Sequence, residues 1–206
     1  MLVAVGRFLR RQWFYALIGA LLATVLGGIG YMYAFGSSRF PVLGQAQDFT
    51  LINTAGRSVT LSTTNGKVRL LTFIYTRCGS VCPITTYTMA EVQRRLQASG
   101  VFPNKVEFIS VTIDPAHDTP QVLAKYAAEY HADLSGWEFL TGPPKQVFQV
   151  LRMYKVETVQ QVDGQIGHPS LTLLLDGAGN IRQEYGNLKV TDDKNIASDI
   201  ERLIHQ

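Results

Sequence analysis

The chain has only two cysteines in 206 residues. That excludes a disulfide-stapled small scaffold, and it leaves too few thiols for a four-cysteine zinc site. Acidic side chains are missing from the first 47 residues, where Arg7, Arg10, Arg11 and Arg39 stand unopposed and Asp48 is the first acid. Of the 19 lysines and arginines, those four leave 15 to face all 16 acidic residues in the remainder. A body so close to neutral offers no electrostatic reason to expect nucleic acid as a partner. Charged residues overall are scarce, at 17% against 46% hydrophobic, which excludes a disordered chain. Internal repeats and low-complexity blocks are absent too. The length suits one ordinary domain with an appendage.

Charge is absent altogether from Trp13 to Phe35, WFYALIGALLATVLGGIGYMYAF, a run of 23 residues. As a helix rising about 1.5 Å per residue it would extend about 35 Å, enough to cross a hydrocarbon core of about 30 Å with some tilt. Trp13, Phe14 and Tyr15 at one end, and Tyr31, Tyr33 and Phe35 at the other, are placed as interfacial belts. The preceding arginines predict a cytoplasmic N-terminus over residues 1–12, one transmembrane helix over 13–35, and everything beyond it outside the cytoplasm. The expected setting is a single-pass protein of the plasma membrane or of an equivalent organellar inner membrane. A cleaved signal peptide is the competing reading, although its apolar region normally runs only about 7 to 15 residues. No cysteine stands at the end of the run, so a lipid-anchored lipoprotein is not expected.

Residues 36–46, GSSRFPVLGQA, read as a short linker, and residues 47–206 as one α/β domain. Phe49 to Asn53 and Ser58 to Ser62 suggest a hairpin around residues 54–57. Val68 to Tyr75 is nearly continuous in apolar residues, as a strand covered on both faces requires. A helical pattern follows from Ile84 to Ala98 and stops near Gly100. Val106 to Ile113 reads as the next strand, and Thr119 with Pro120 opens a helix reaching about Tyr130. Trp137 to Leu140 is strand-like and Pro144 to Met153 helical. Leu171 to Asp176 and Ile181 to Tyr185 form a second hairpin, and a last helix covers about Asp192 to His205. This alternation predicts a mixed sheet flanked by helices, with ligands at the carboxyl ends of strands.

Both cysteines fall at such an end, in Thr76-Arg77-Cys78-Gly79-Ser80-Val81-Cys82-Pro83. If helix begins near Cys78, positions i and i+4 bring both sulfurs to one face. Exposed amides at a helix start favour an anion, so a thiolate there should titrate below the reference value of about 8.5. Arg77 adds positive charge as an electrostatic neighbour. A bridge closing so short a loop removes little unfolded-state entropy, which makes a purely structural disulfide a poor staple. Retained thiols outside the cytoplasm point instead to metal or redox exchange.

Two thiolates alone seldom complete a transition-metal site, and the four histidines are the candidates to join them. His131 and His205 lie at or beyond helix ends and His117 in a polar loop, where solvated roles are the default. His168 precedes the apolar strand at 171, where a loop enters the sheet next to the cysteine-bearing end, a position that suits a metal ligand and an ordinary loop histidine equally.

Phe73-Ile74-Tyr75-Thr76-Arg77-Cys78 through Cys82-Pro83, then Ser110-Val111-Thr112-Ile113-Asp114-Pro115 with Asp118-Thr119-Pro120, then the His168 segment, resemble the Sco/SenC copper proteins. The resemblance covers roughly residues 47–206. It implies a thioredoxin-like fold, with copper held as Cu(I) or Cu(II) by Cys78, Cys82 and His168. It also implies a metallochaperone role, in which copper passes to the binuclear centre of cytochrome c oxidase subunit II or to another acceptor protein. Asp114 matches the family's acidic position, which implies a residue that orients or supports a ligand; a turn residue ahead of the next helix is the equal alternative. In this chain Gly167 precedes the histidine and Pro169 follows it, and Gly79 replaces a proline often found after the first cysteine. Soft thiolates with one imidazole suit copper independently of the resemblance. The alternative is an enzyme, a thiol-disulfide oxidoreductase using Cys78 and Cys82 as its catalytic pair.

Overall fold

The computed structural model describes residues 2–35, 40–161 and 165–206. Residues 1 and 36–39, from the expected cytoplasmic and linker segments, lie outside that set. Contacts divide the chain into two units, one ending at Arg39 and one running from Phe40 to Gln206. The first unit is the helix α1 (Leu2–Phe35). Its described side chains include exposed Trp13, Leu17, Leu21, Leu26 and Tyr31. Among the described residues no helix is long and apolar enough to cross a membrane.

The second unit runs β1 (Gly44–Gln45), β2 (Thr50–Asn53), β3 (Ser58–Thr60), β4 (Val68–Ile74), α2 (Val81–Ala98), β5 (Val106–Thr112), α3 (Pro120–Glu129), β6 (Trp137–Thr141) and α4 (Pro144–Met153). It continues through β7 (Val159–Gln160), β8 (Ile166–Gly167), β9 (Thr172–Leu175), β10 (Asn180–Tyr185) and α5 (Asp193–Ile204). Eight strands form one mixed sheet in the order β1-β10-β9-β4-β5-β6-β2-β3, and β7 pairs with β8 in a separate ladder. The centre pairs β4 in parallel with β5 and antiparallel with β9. Every residue of β4, β5 and β9 is buried. The nearly continuous apolar pattern of β4, broken by Arg69 and Thr72, follows from that position, since neither face meets water.

Helix ends follow local chemistry. Thr119 adopts extended backbone and its hydroxyl accepts from the Val122 N–H, while Pro120 occupies the first turn of α3, where its missing N–H costs nothing. Gly100 takes a φ of +74° just after α2, a left-handed position that glycine occupies without strain.

Three sequence expectations need correction. Residues 40–46 belong to the globular unit rather than to a linker: Leu43 and Ala46 donate to the Ile181 and Gly179 carbonyls, and β1 adds to the edge of β10. A two-residue strand is too short to carry a period, so it leaves no sequence signal. Residues 61–64 close as a 3-10 turn instead of extending β3, with the Asp48 carboxylate accepting from the Ser62 N–H and hydroxyl. The β7–β8 ladder was missed for the same reason as β1.

The turn between β9 and β10 is built on Asp176. Its carboxylate accepts from the Ala178 and Asn180 N–H groups, from Asn180 Nδ2 and from Arg182 Nη1, each at 2.9 Å. Burial alone would raise its pKa, but the Asn180 and Arg182 donors outweigh burial and hold it below the usual carboxylate range. Its backbone carbonyl accepts from the fully buried Arg69 guanidinium at 2.5 Å. A depressed folded pKa contributes stability that is present above the unfolded value of about 3.9 and is lost as pH falls through the folded value. Asp176→Ala should therefore cost about 1.5–3 kcal/mol at pH 7, the scale of hydrogen bonds to a charged group, and should flatten the loss of stability below about pH 4. Urea unfolding across pH 2–7 measures both. An acid slope as steep as that of the unsubstituted protein would refute this account of the turn.

Candidate metal and thiol site

β4 and β5 run parallel and end together, and Asp118 ties their ends. This buried carboxylate accepts from the Thr112 hydroxyl at 2.5 Å, from the Thr76 hydroxyl at 2.5 Å and from the Thr76 N–H at 3.2 Å. Thr76 is thereby held where the chain leaves the sheet, two residues before Cys78. The Cys78 N–H turns back to the Tyr75 carbonyl at 3.3 Å. Helix α2 then begins at Val81, not near Cys78. The cysteines are therefore not an i, i+4 pair on one helix face. Cys78 lies in the turn ahead of the helix, and the Cys82 N–H in the first helical turn donates to its Sγ at 3.4 Å.

This arrangement makes the two thiols unequal. Burial would raise the Cys78 pKa, yet N–H groups of Cys82, Ser80 and Val81 converge on its sulfur and bring it below the ordinary thiol value. That meets the expectation of a thiolate favoured by a helix start. Cys82 departs from it. At 2% exposure it is strongly desolvated, and its hydrogen bond with Cys78 adds to the effect, so its pKa is pushed well up.

His168 follows β8 and reaches the same place from 86 residues away, its Nε2 lying 3.8 Å from Cys82 Sγ. Nδ1 is 2.9 Å from the Pro169 carbonyl, which can only accept, so Nδ1 carries the proton and Nε2 presents its lone pair toward the sulfur. Desolvation lowers the His168 pKa and keeps the ring neutral, the form that binds metals. A cavity of about 410 Å³ opens beside the group, lined by Tyr75, Cys78, Gly79, Ser80, Gln165 and His168 among others. Among the described residues no three His, Cys, Asp or Glu side chains are gathered closely enough to enclose an ion as they stand. The donor set nevertheless fits a soft metal: two sulfurs and one neutral imidazole, with one side open to the cavity.

Asp114 faces elsewhere. Its carboxylate accepts from Arg77 Nη2 at 2.8 Å and meets His117 Nδ1 at 2.9 Å. These partners, although burial opposes them, hold its pKa down. The bond that orients the His168 ring comes from the Pro169 carbonyl instead. His117 is half exposed but bonded to Asp114 and Arg77, not simply solvated as its loop suggested. His131 and His205 lie on exposed helix ends. Asp118 and Tyr75 stand in the motifs that carry the resemblance, but the sequence assigns neither a role at the site. The spacing of Asp118 before Thr119 and Pro120 suggested a helix entry, and nothing in the linear order links Tyr75 to Gln165, 90 residues on.

A model of the SCO1/SenC family matches residues 43–205. The SCO1 protein homolog of Bacillus subtilis is 32% identical over 165 residues, covering 78% of this chain and 83% of that protein. The mitochondrial SCO2 homolog of Bos taurus is 35% identical over 118 residues, which is 57% of this chain but 42% of that longer protein. Among solved structures, Arabidopsis thaliana ScoI with copper bound superposes with a TM-score of 0.66 at 28% identity, over 76% of this chain and 98% of that one. BsSco, described as a member of the Sco family of cytochrome c oxidase assembly proteins with a disulfide switch, gives a TM-score of 0.67 at 30% identity, over 81% and 97%. The mixed sheet with flanking helices is thus the thioredoxin-like fold of these relatives. The family model covers nearly the whole globular unit, cysteines and His168 included, and this chain belongs to the SCO1/SenC family.

Proposed function

We propose that this chain is a membrane-anchored copper metallochaperone that takes copper on Cys78, Cys82 and His168. It would deliver the ion to the binuclear centre of cytochrome c oxidase subunit II or to another extracytoplasmic acceptor. The observation that carries this reading is the approach of a neutral, correctly protonated His168 Nε2 to Cys82 Sγ. Soft thiolates favour Cu(I), and the added imidazole lets the site also accept Cu(II). Three protein donors leave one side of the ion open to a partner's ligand, so the ion can be handed over by ligand exchange. The copper held by the Arabidopsis relative and the oxidase-assembly description of BsSco support the same assignment.

Anchoring is proposed over residues 13–35, with residues 1–12 in the cytoplasm and the globular unit outside. Its support is the uncharged 23-residue run, the arginines before it, and the continuous helix α1 with its exposed apolar side chains. Asp114 is proposed to act indirectly, by holding Arg77 beside Cys78.

The unequal thiols favour a second reading, thiol-disulfide exchange. The Cys78 thiolate would attack a partner disulfide, releasing one partner thiolate and forming a mixed disulfide. Cys82, on losing its proton, would attack the Cys78 sulfur and release the second partner thiol. The partner gains two electrons and the Cys78–Cys82 pair loses them.

Copper titration of the reduced full chain in detergent, followed by sulfur-to-copper charge-transfer absorption, tests the first reading. Cys78→Ser, Cys82→Ser and His168→Ala should each weaken binding beyond the roughly 10- to 100-fold typical of losing a supporting partner of a ligand. Unchanged tight binding by His168→Ala would remove that residue from the ligand set. For the second reading, alkylation with iodoacetamide at pH 7 and mass mapping should find Cys78 modified well before Cys82, at about tenfold per unit of pKa separation, and with a midpoint below about pH 8.5. Equal labelling of the two thiols would argue against an attacking and resolving pair.

A further inference from the structure

The ladder that carries His168 stands apart from the main sheet, since β8 pairs with β7 alone. Sheet hydrogen bonding therefore cannot hold the histidine at the cysteines, and side chains must. On the exit side the chain is tied down after His168: Ser170 Oγ donates to the Gly186 carbonyl at 3.3 Å and Thr72 Oγ1 to the Leu171 carbonyl at 3.1 Å.

On the entry side the contacts meet at Tyr75, the residue that continues β4 toward Cys78. Its hydroxyl oxygen accepts from the Ile166 N–H at 3.1 Å, and its O–H donates to Gln165 Oε1 at 2.9 Å. The same Gln165 oxygen lies 3.5 Å from the Gly79 N–H, on the loop between the cysteines. The Tyr75 ring meets the His168 ring edge-on at 5.9 Å. Tyr75 is 3% exposed, and a phenol, with an ordinary pKa of about 10, carries the proton it donates at neutral pH.

We infer that Tyr75 is a positioning residue, whose hydroxyl latches the β7–β8 hairpin onto the end of β4 and thereby sets the reach of His168 to Cys82. The inference rests on the reading of His168 as a copper donor for its consequence, but not for its geometry. A phenylalanine here would keep the ring and its packing while leaving the Ile166 N–H and the Gln165 oxygen without their shared partner. Apolar packing of Ile166, itself buried, is the competing fixture. The two differ in what the hydroxyl does.

The test uses the reduced full chain in detergent. In the metal-free protein, Tyr75→Phe should abolish the nuclear Overhauser contact between the His168 ring and the Cys82 β-protons and speed exchange of the Ile166 amide by about tenfold, the scale of one buried hydrogen bond. Gln165→Ala, which loosens the latch from the hairpin side, should weaken the same contact and carries the test if Tyr75→Phe does not fold. Tyr185→Phe, which removes a tyrosine hydroxyl bonded to Asp199, should leave the contact and the Ile166 exchange unchanged. With Cu(II) bound, Tyr75→Phe should lose the nitrogen superhyperfine splitting contributed by His168 while keeping the sulfur charge-transfer band. Retention of the ring-to-Cys82 contact in Tyr75→Phe would overturn the latch. If His168→Ala keeps the nitrogen splitting of the unsubstituted protein, the copper reading of His168 falls instead, and the latch is decided by the metal-free contact alone.

Discussion

The site depends on one approach across the fold: an imidazole on a small hairpin meeting a buried sulfur at the first turn of a helix. Neither group is placed by its own element alone. Cys82 sits where it does because β4, buried in the middle of the sheet, delivers the chain to a point fixed by Asp118, after which only a few residues remain before α2 starts. His168 sits where it does because the hairpin before it is bonded to Tyr75 and the strand after it joins the same sheet beside β4. The central strand therefore governs both arrivals.

The same local geometry divides the labour between the thiols. Because α2 begins at Val81, its unsatisfied N–H groups point back at Cys78 and favour a thiolate there. Cys82, one residue inside the helix, is carried into the core and faces the cost of desolvation. A helix starting at Cys78 would have made the two sulfurs nearly equivalent. The observed offset leaves one reactive sulfur at the edge of the cavity and one protected sulfur against the histidine. That asymmetry is compatible with both proposed roles, which is why the two readings share the same residues.

How far the sequence could be read depended on how local the governing interaction was. β4 and β5 were legible because burial on both faces leaves runs dominated by apolar and β-branched residues, and α3 because Thr119 and Pro120 act within one turn. The hairpins around residues 54–57 and 177–180 were legible from their turn residues, and Asp176 organises the second by bonds that span no more than six residues. β1, β7 and β8 were not legible. Each has two residues, too few for a period; β1 forms on the distant edge of β10, while β7 and β8 pair only with each other.

By itself the sequence determined the apolar core strands, the charge division between the two units and the soft-metal chemistry open to a cysteine pair with a histidine. Those properties belong to residue types and short spacings. Only the tertiary structure decided that His168 presents Nε2 to Cys82, that Pro169 and not Asp114 receives its other nitrogen, that the cysteines differ in acidity, and that Tyr75 and Asp118 hold the frame. The reason is physical: direction, desolvation and hydrogen-bond partnership depend on how the fold orients neighbours near and far, from Pro169 beside His168 to Gln165, 90 residues from Tyr75, and no local pattern encodes which of them meet.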